Sequence, residues 1–191
     1  FGALTDRRVR CYYCRKASIR EVESVVSFSS LLHNIADAEQ GPKTCAVFDF
    51  DGTIISGYSA TAFLKDQITR GEISPADLVQ LTQATTRFGI GSLGFSALMA
   101  VHAQYLAGRS ETDYIANSER LFRRAIAKLI YPEARQLIEA HRAAGHSIAI
   151  ISSATPYQVL PAAKDLGIEH VYATDLEVEH GQFTGGVVQS T

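Results

Sequence analysis

The stretch CAVFDFDGTIIS, residues 45–56, contains an apolar run that ends in two aspartates separated by one residue. A continuous apolar run is typical of a strand buried on both faces of a parallel sheet. Because burying a carboxylate costs free energy unless a partner compensates it, the pair Asp49 and Asp51 at a strand end indicates a cation, a chemical task, or both. Cys45 at the start of the run is expected to be a core residue.

A second buried strand is predicted in HSIAIIS, residues 146–152, and a helix is expected to begin near Pro156. In parallel α/β sheets, ligands bind beyond the carboxyl ends of the strands. The hydroxyl of Ser153 can donate to a phosphate oxygen there, close to the positive end of the following helix. Ser152 is the alternative residue for this role.

Two carboxylates this close need a cation to offset their repulsion if both are ionised. Mg²⁺ prefers oxygen ligands and often also binds a phosphate. A metal-neutralised aspartate can attack phosphorus as a nucleophile, and the second carboxyl group can transfer a proton to the leaving alcohol. The backbone N–H groups of Gly52 and Thr53 are expected to contact the phosphate.

Each feature also has a purely structural interpretation. An Asp-Gly pair at a strand end is common turn chemistry, and Ser-Ser before a helix is a common cap. Both features follow separate buried strands of one predicted sheet, and this joint arrangement favours a phosphate site.

The order of predicted elements indicates an α/β fold, with a Rossmann-like parallel sheet core and a helical-bundle cap inserted after the first strand. The core is expected to comprise residues 29–57 and 131–191, and the cap residues 58–130, where the sequence predicts four successive helices without a strand. Residues 1–28 show no clean periodicity and are left unassigned as a basic, disordered N-terminus.

The composition excludes several classes of protein. The chain has 191 residues and a formal charge of −2, which gives no case for a nucleic-acid partner or an anionic membrane surface. Three cysteines do not make a secreted disulfide framework, and neither a membrane span nor a signal peptide is present in the sequence given. We therefore expect a cytoplasmic protein with a small-molecule partner.

The motifs FDFDGTI (residues 48–54) and IAIISSAT (residues 148–155) resemble the first two motifs of the haloacid dehalogenase superfamily of phosphohydrolases. The resemblance implies that Asp49 is the nucleophile and a magnesium ligand. It implies that Asp51 is the general acid and base and binds Mg²⁺ through its backbone carbonyl, and that Ser153 holds the phosphoryl group. The inserted helical bundle is similar to the mobile cap of the phosphoserine-phosphatase-like branch, subfamily IB.

Longer stretches, including GYSATAFLKDQITRGEISP (residues 57–75), resemble the phosphatase-like region of bacterial proteins fused to a lysophosphatidic acid acyltransferase. An acyltransferase domain further along the parent chain is thus an implied partner. The superfamily's third motif, a lysine, and its fourth, an acidic loop, are expected beyond Thr191. We therefore expect the 191-residue chain to be incomplete and weakly active or inactive.

Two positions argue against phosphoserine as the substrate. Phosphoserine phosphatases carry a cap glutamate where this chain has Tyr58, and their cap arginine would fall near Ala100, where no arginine occurs. Two functions therefore remain open. One is a magnesium-dependent phosphatase that acts on a small phosphorylated substrate, and the other is a non-catalytic phosphate-binding module that regulates a fused acyltransferase.

Overall fold

The computed structural model describes residues 12–13, 27–89, 91 and 95–189. Most of the predicted N-terminal segment 1–28 therefore lies outside the described residues. Within it, strand β1 (Tyr12–Tyr13) pairs antiparallel with the next strand, a pairing that the sequence analysis did not anticipate. In the described part of the chain, no helix has the length and apolar character needed to cross a membrane.

The central sheet has four strands in the order β1-β2-β3-β4. Strands β2 (Cys45–Phe48), β3 (Ser147–Ile151) and β4 (His170–Tyr172) are parallel to one another, and Phe48 pairs with Ile150. The predicted parallel core of an α/β fold is thus confirmed, with one antiparallel strand added at its edge.

Three helices belong to this core: α1 (Phe28–Ala36), α6 (Pro132–Ala143) and α7 (Pro156–Leu166). α1 packs against α6, α6 packs against β3, and α7 packs against β4. The fully buried side chains of this region are large and apolar, as expected for a core that excludes water. They include Phe48, Phe50, Ile54, Ile55, Leu137, Ile138, Ile150 and Val159.

Four α-helices lie between β2 and the core helix α6: α2 (Ser59–Thr69), α3 (Pro75–Gly89), α4 (Phe95–Leu106) and α5 (Glu111–Leu121). This agrees with the predicted helical insertion, whose domain limits at residues 58 and 130 stay a prediction. The fourth helix was expected to continue to about residue 130. Instead the chain changes to a π-helix (Phe122–Ile126) and a 3₁₀ turn (Ala127–Leu129), which bring it back to the core at an Ile55–Ile130 bridge.

The predicted hairpin at the end of the described chain is formed by β5 (Asp175–Glu179) and β6 (Gln182–Gln189). His180 and Gly181 occupy the turn, and both have a positive φ. The N–H of Gly108, after α4, donates to the carbonyl of Phe183 at 2.8 Å. The hairpin thereby joins the core to the end of a cap helix.

One sequence expectation was wrong. Cys45 is exposed, because it is the first residue of β2 and the buried positions of that strand begin at Ala46. The predicted helix start near Pro156 is confirmed by α7. That helix begins at Pro156, where the N–H of Thr155 donates to the side chain of Gln158 at 2.8 Å, and it continues to Leu166 with Pro161 inside.

Candidate active site

The two polar loops predicted to form the site leave the same edge of the sheet. β2 ends at Phe48, directly before Asp49, and β3 ends at Ile151, directly before the two serines. Because β2 and β3 are neighbouring parallel strands in register, their carboxyl ends lie side by side. The fold therefore brings the Asp49–Asp51 loop and the Ser152–Ser153 loop together.

Asp49 is exposed and directed toward solvent. The N–H of the next residue, Phe50, donates to its Oδ1 at 2.7 Å. Its Oδ2 has no hydrogen-bond partner among the described residues. One carboxylate oxygen is thus held by the backbone while the other is available to a metal ion or a reacting phosphorus.

Asp51 is more enclosed, and its carboxyl group is held at both oxygens by Ser59. The N–H of Ser59 donates to Oδ1 at 2.8 Å, and the Ser59 hydroxyl donates to Oδ2 at 3.2 Å. Burial raises the pKa of Asp51 above its ordinary value, the two bonds from Ser59 partly lower it, and the charge of Asp49 raises it again. A carboxyl group that keeps its proton more readily than usual is suited to general acid catalysis.

The loop after Asp51 is closed by its own backbone hydrogen bonds. The N–H of Gly52 donates to the carbonyl of Gly57 at 2.9 Å, and the N–H of Thr53 donates to the carbonyl of Phe50 at 3.3 Å. Gly52 has a φ of 74°, a conformation that favours glycine. The two N–H groups predicted to contact a phosphate are therefore engaged inside the loop in this structure, and binding a phosphate there would require these bonds to be shared or opened.

The two serines of the second loop differ in exposure. Ser152 is buried, and its Oγ accepts from the N–H of Ala154 at 3.2 Å. Ser153 is exposed, and neither its hydroxyl nor its N–H donates to any described residue. Its carbonyl accepts from the hydroxyl of Thr174 at 3.0 Å, which anchors the loop.

The oxygen atoms of the first loop suit a hard divalent cation. Asp49 offers a carboxylate oxygen, and the backbone carbonyl of Asp51 accepts no hydrogen bond from the described residues. These are the kinds of donor that Mg²⁺ binds, together with water and substrate phosphate. Within the described residues there is no cluster of three or more His, Cys, Asp or Glu side chains that could hold a metal by themselves.

Ser59 is the site residue that the sequence analysis missed. It is the first residue of α2, eight positions after the carboxyl group that it holds. A serine at a helix start is typical of a cap, so its local sequence gives no indication that it bonds to Asp51. Only the turn of the loop back toward β2 reveals the contact.

Comparison with known proteins identifies the relatives of this chain. Residues 46–190 match the family of haloacid dehalogenase-like hydrolases. A phosphoserine phosphatase of Mycobacterium tuberculosis is 30% identical over 148 residues, which cover 75% of this chain and 48% of that protein. A histidinol-phosphatase of Neisseria meningitidis is 27% identical over 148 residues, covering 76% of this chain and 67% of that protein.

The likeness extends to solved structures. A protein of unknown function from Bordetella pertussis Tohama I superposes with a TM-score of 0.69 at 23% identity, covering 78% of this chain and 67% of that one. This similarity supports the fold. The chain spans 52%, 52% and 49% of three further mycobacterial relatives, about half of their length.

Proposed function

Because the chain belongs to the haloacid dehalogenase-like hydrolases, with phosphoserine-phosphatase-like relatives, we propose that it carries the site of a magnesium-dependent phosphomonoester hydrolase that acts through an aspartyl-phosphate intermediate. One observation carries the proposal. Asp49 presents an unpartnered oxygen to solvent, while its neighbour Asp51 is enclosed and has a raised pKa. The two carboxyl groups are thus differentiated into a nucleophile and a proton donor.

In the first step, Oδ2 of Asp49 attacks the phosphorus of the substrate, and the bond from phosphorus to the leaving oxygen breaks. The carboxyl proton of Asp51 passes to that oxygen, so an alcohol leaves and Asp51 becomes a carboxylate. In the second step, the Asp51 carboxylate takes a proton from water as the water oxygen attacks phosphorus. The bond to Asp49 then breaks, which releases inorganic phosphate and restores both residues.

Ser153 is proposed to hold the phosphoryl group, since its hydroxyl and N–H have no other partner among the described residues. Gly52 and Thr53 stay candidates for further phosphate contacts. The Asp49 carboxylate and the Asp51 carbonyl would hold Mg²⁺, which supplies positive charge to offset the carboxylates and the phosphate. Haloacid dehalogenase phosphatases generally use this ion.

The proposed substrate is a small phosphorylated molecule in the cytoplasm. The relatives named as phosphoserine phosphatase and histidinol-phosphatase show that one fold serves different leaving groups. Tyr58 at the position of the phosphoserine-recognising glutamate argues against phosphoserine. The lysine and acidic-loop motifs implied by the family resemblance are not placed within the 191 residues, so we expect slow turnover from this chain alone.

A second candidate is a phosphate-binding module that regulates a fused lipid acyltransferase. The limited metal ligand set of the described residues favours it, because one carboxylate and one carbonyl bind a cation more weakly than a full shell. Such a module would bind phosphate without cleaving an ester. The two candidates differ in whether Asp49 is chemically required.

The experiment that separates them measures release of p-nitrophenol from p-nitrophenyl phosphate with and without Mg²⁺, at high protein concentration. We expect slow, magnesium-dependent release that falls by about 10³-fold or more in Asp49→Asn, because the amide cannot act as the nucleophile. Asp37→Asn is a matched control, since Asp37 is an exposed aspartate at the end of α1.

An unchanged rate in Asp49→Asn would refute the phosphatase proposal. The second candidate predicts a different set of results. The wild-type chain would bind inorganic phosphate by calorimetry and release no p-nitrophenol, and Asp49→Asn would bind phosphate equally well. These results together would identify the chain as a phosphate-binding module.

A further inference from the structure

A pocket of about 450 Å³ lies between α2 and the segment formed by the end of α5, the π-helix and the 3₁₀ turn. Its floor includes the chain that links the catalytic loop to α2, residues 56–58. A cavity of this size can hold a small organic group. We call it the cap pocket.

The cap pocket adjoins the proposed catalytic loop through direct hydrogen bonds. Gly57, which lines the pocket, accepts the N–H of Gly52. Tyr58, which also lines it, is followed immediately by Ser59, whose side chain holds the carboxyl group of Asp51. Tyr58 in the pocket wall is therefore adjacent in sequence to Ser59, and Ser59 holds Asp51, the proposed proton donor.

Positive charge predominates in the cap pocket. Lys65, Arg124 and Lys128 line it, against one acidic residue, Asp66. The whole chain, in contrast, has a net charge of −2. The pocket therefore concentrates cations in a chain that is acidic overall.

The charge of Asp66 is already satisfied by arginines. This carboxylate is 3% exposed, pairs with Arg70 at 2.9 Å and with Arg124, and lies 3.9 Å from Arg120. It thus faces more than one guanidinium group, so it does not neutralise the pocket lysines.

The two lysines of the cap pocket are available to a ligand. Lys65 and Lys128 are exposed, and neither has a carboxylate partner within the described residues. Lysine ammonium groups bind carboxylate and phosphate groups as point charges. Two of them in one cavity beside the catalytic loop form a site for an anion.

We propose that the cap pocket binds a second anionic group, a carboxylate or a phosphate, on the leaving alcohol of the phosphomonoester substrate. This inference rests on the proposed function and specifies its substrate class. Of the two positions by which phosphoserine phosphatases recognise their substrate, Tyr58 lines the cap pocket and Ala100 lines a separate cavity between α3 and α4, and neither position is that of the two lysines. Lys65 and Lys128 are specificity-determining residues in this account, with no part in the transfer of the phosphoryl group.

The test compares two esters that differ in one group. 3-Phosphoglycerate carries a carboxylate where glycerol 3-phosphate carries a hydroxymethyl group. Dissociation constants are measured by calorimetry with Mg²⁺ in the Asp49→Asn chain, which cannot cleave the ligands in the proposed mechanism. We expect 3-phosphoglycerate to bind about tenfold more tightly, as two exposed charge contacts allow.

In the same background, Lys65→Gln combined with Lys128→Gln should abolish this preference and leave the dissociation constant of glycerol 3-phosphate unchanged. Lys43→Gln is the matched control, because Lys43 is an exposed lysine before β2, at the opposite edge of the sheet. That variant should keep the preference. Circular dichroism of each variant establishes that the fold is retained.

Equal affinity for the two esters, a preference that survives in the double variant, or no measurable binding of 3-phosphoglycerate would overturn the inference. The proposed phosphatase function fails on a different result, the absence of magnesium-dependent phosphate release by the wild-type chain from either ester. The binding ratio and the turnover assay therefore report separately on the pocket and on the chemistry.

Discussion

At the amino ends of β2 and β3 the buried polar side chains bond to one another, whereas at the carboxyl ends of the same strands polar groups face outward. His141 and His146, next to the start of β3, have their Nδ1 atoms 2.9 Å apart. Nε2 of His146 lies 3.1 Å from the carbonyl of Glu39. A carbonyl only accepts, so His146 donates from Nε2, and its Nδ1 accepts the proton of His141 Nδ1.

At the carboxyl edge, Oδ2 of Asp49 and the hydroxyl of Ser153 have no such partner in the described part of the chain. The difference separates two uses of polar residues in one sheet. A polar group whose bonds are completed by the protein stabilises the fold, and a group left open at a ligand-binding edge is available for chemistry.

The largest expected effect distinguishes the two adjacent serines. Ser153→Ala should lower turnover or phosphate affinity by about 10- to 100-fold, because it removes a hydrogen bond to a charged group. Ser152→Ala should instead lower the free energy of unfolding by about 1–2 kcal/mol, since the N–H of Ala154 loses its buried acceptor. Phosphate release and urea unfolding are measured for both variants. A reversal of the two phenotypes would assign the phosphate to Ser152.

The next prediction concerns the pair His141 and His146 at the amino end of β3. Burial, assisted by the nearby His146, lowers the pKa of His141 to about 4. The unfolded chain therefore binds more protons than the folded chain between this pKa and the ordinary value near 6.5. As the pH falls through this range, the wild type should lose on the order of 1–2 kcal/mol more stability than His141→Gln.

Urea unfolding at pH 6.5 and pH 4 measures this difference. His33→Gln, at an exposed position on α1, should keep the pH dependence of the wild type. If His141→Gln and the wild type lose equal stability, the histidine pair is not the structural element described here.

A smaller effect is expected at Ser59. Ser59→Ala removes the hydroxyl bond that lowers the pKa of Asp51 and keeps the backbone bond. The inflection of the pH–rate profile that belongs to Asp51 should shift to higher pH, and turnover should fall by about fivefold. Ser29→Ala is a control at an exposed serine of α1. An equal loss of rate at every pH, with the inflection of the pH–rate profile unchanged, would show that Ser59 only supports the loop.

The smallest effect is on stability at Asp51. Because its pKa is raised in the folded chain, the folded chain binds more protons than the unfolded one above the ordinary value near 4. Its ionisation therefore destabilises the fold as the pH rises. Asp51→Asn should become more stable relative to the wild type between pH 4 and pH 7 in urea unfolding. A relative loss over that range would contradict the raised pKa.

The parts of the fold that the sequence predicted are those with a local pattern. The apolar run before Asp49, the helices between β2 and β3, and the His180–Gly181 turn follow from hydrophobic periodicity and turn chemistry. The placement of Asp49 and Ser153 at one edge follows from the general rule for parallel strands.

The remaining features depend on contacts that local patterns do not encode. The bond from Ser59 to Asp51 requires the loop to fold back through the Gly52–Gly57 hydrogen bond. The exposure of Cys45 depends on where β2 begins, and an apolar run does not define that position. The cap pocket arises from the packing of α2 on a segment some 60 residues away, which no short window of sequence can show.

The most direct test of the central claim is the mass of the peptide that contains Asp49. The chain is incubated with p-nitrophenyl phosphate and Mg²⁺, quenched in acid, digested and examined by mass spectrometry. The account predicts the addition of one HPO₃ unit to Asp49, which hydroxylamine removes as expected for an acyl phosphate and which is absent from Asp49→Asn. Phosphate release without this adduct in any quench, or with the adduct on another residue, would contradict Asp49 as the nucleophile.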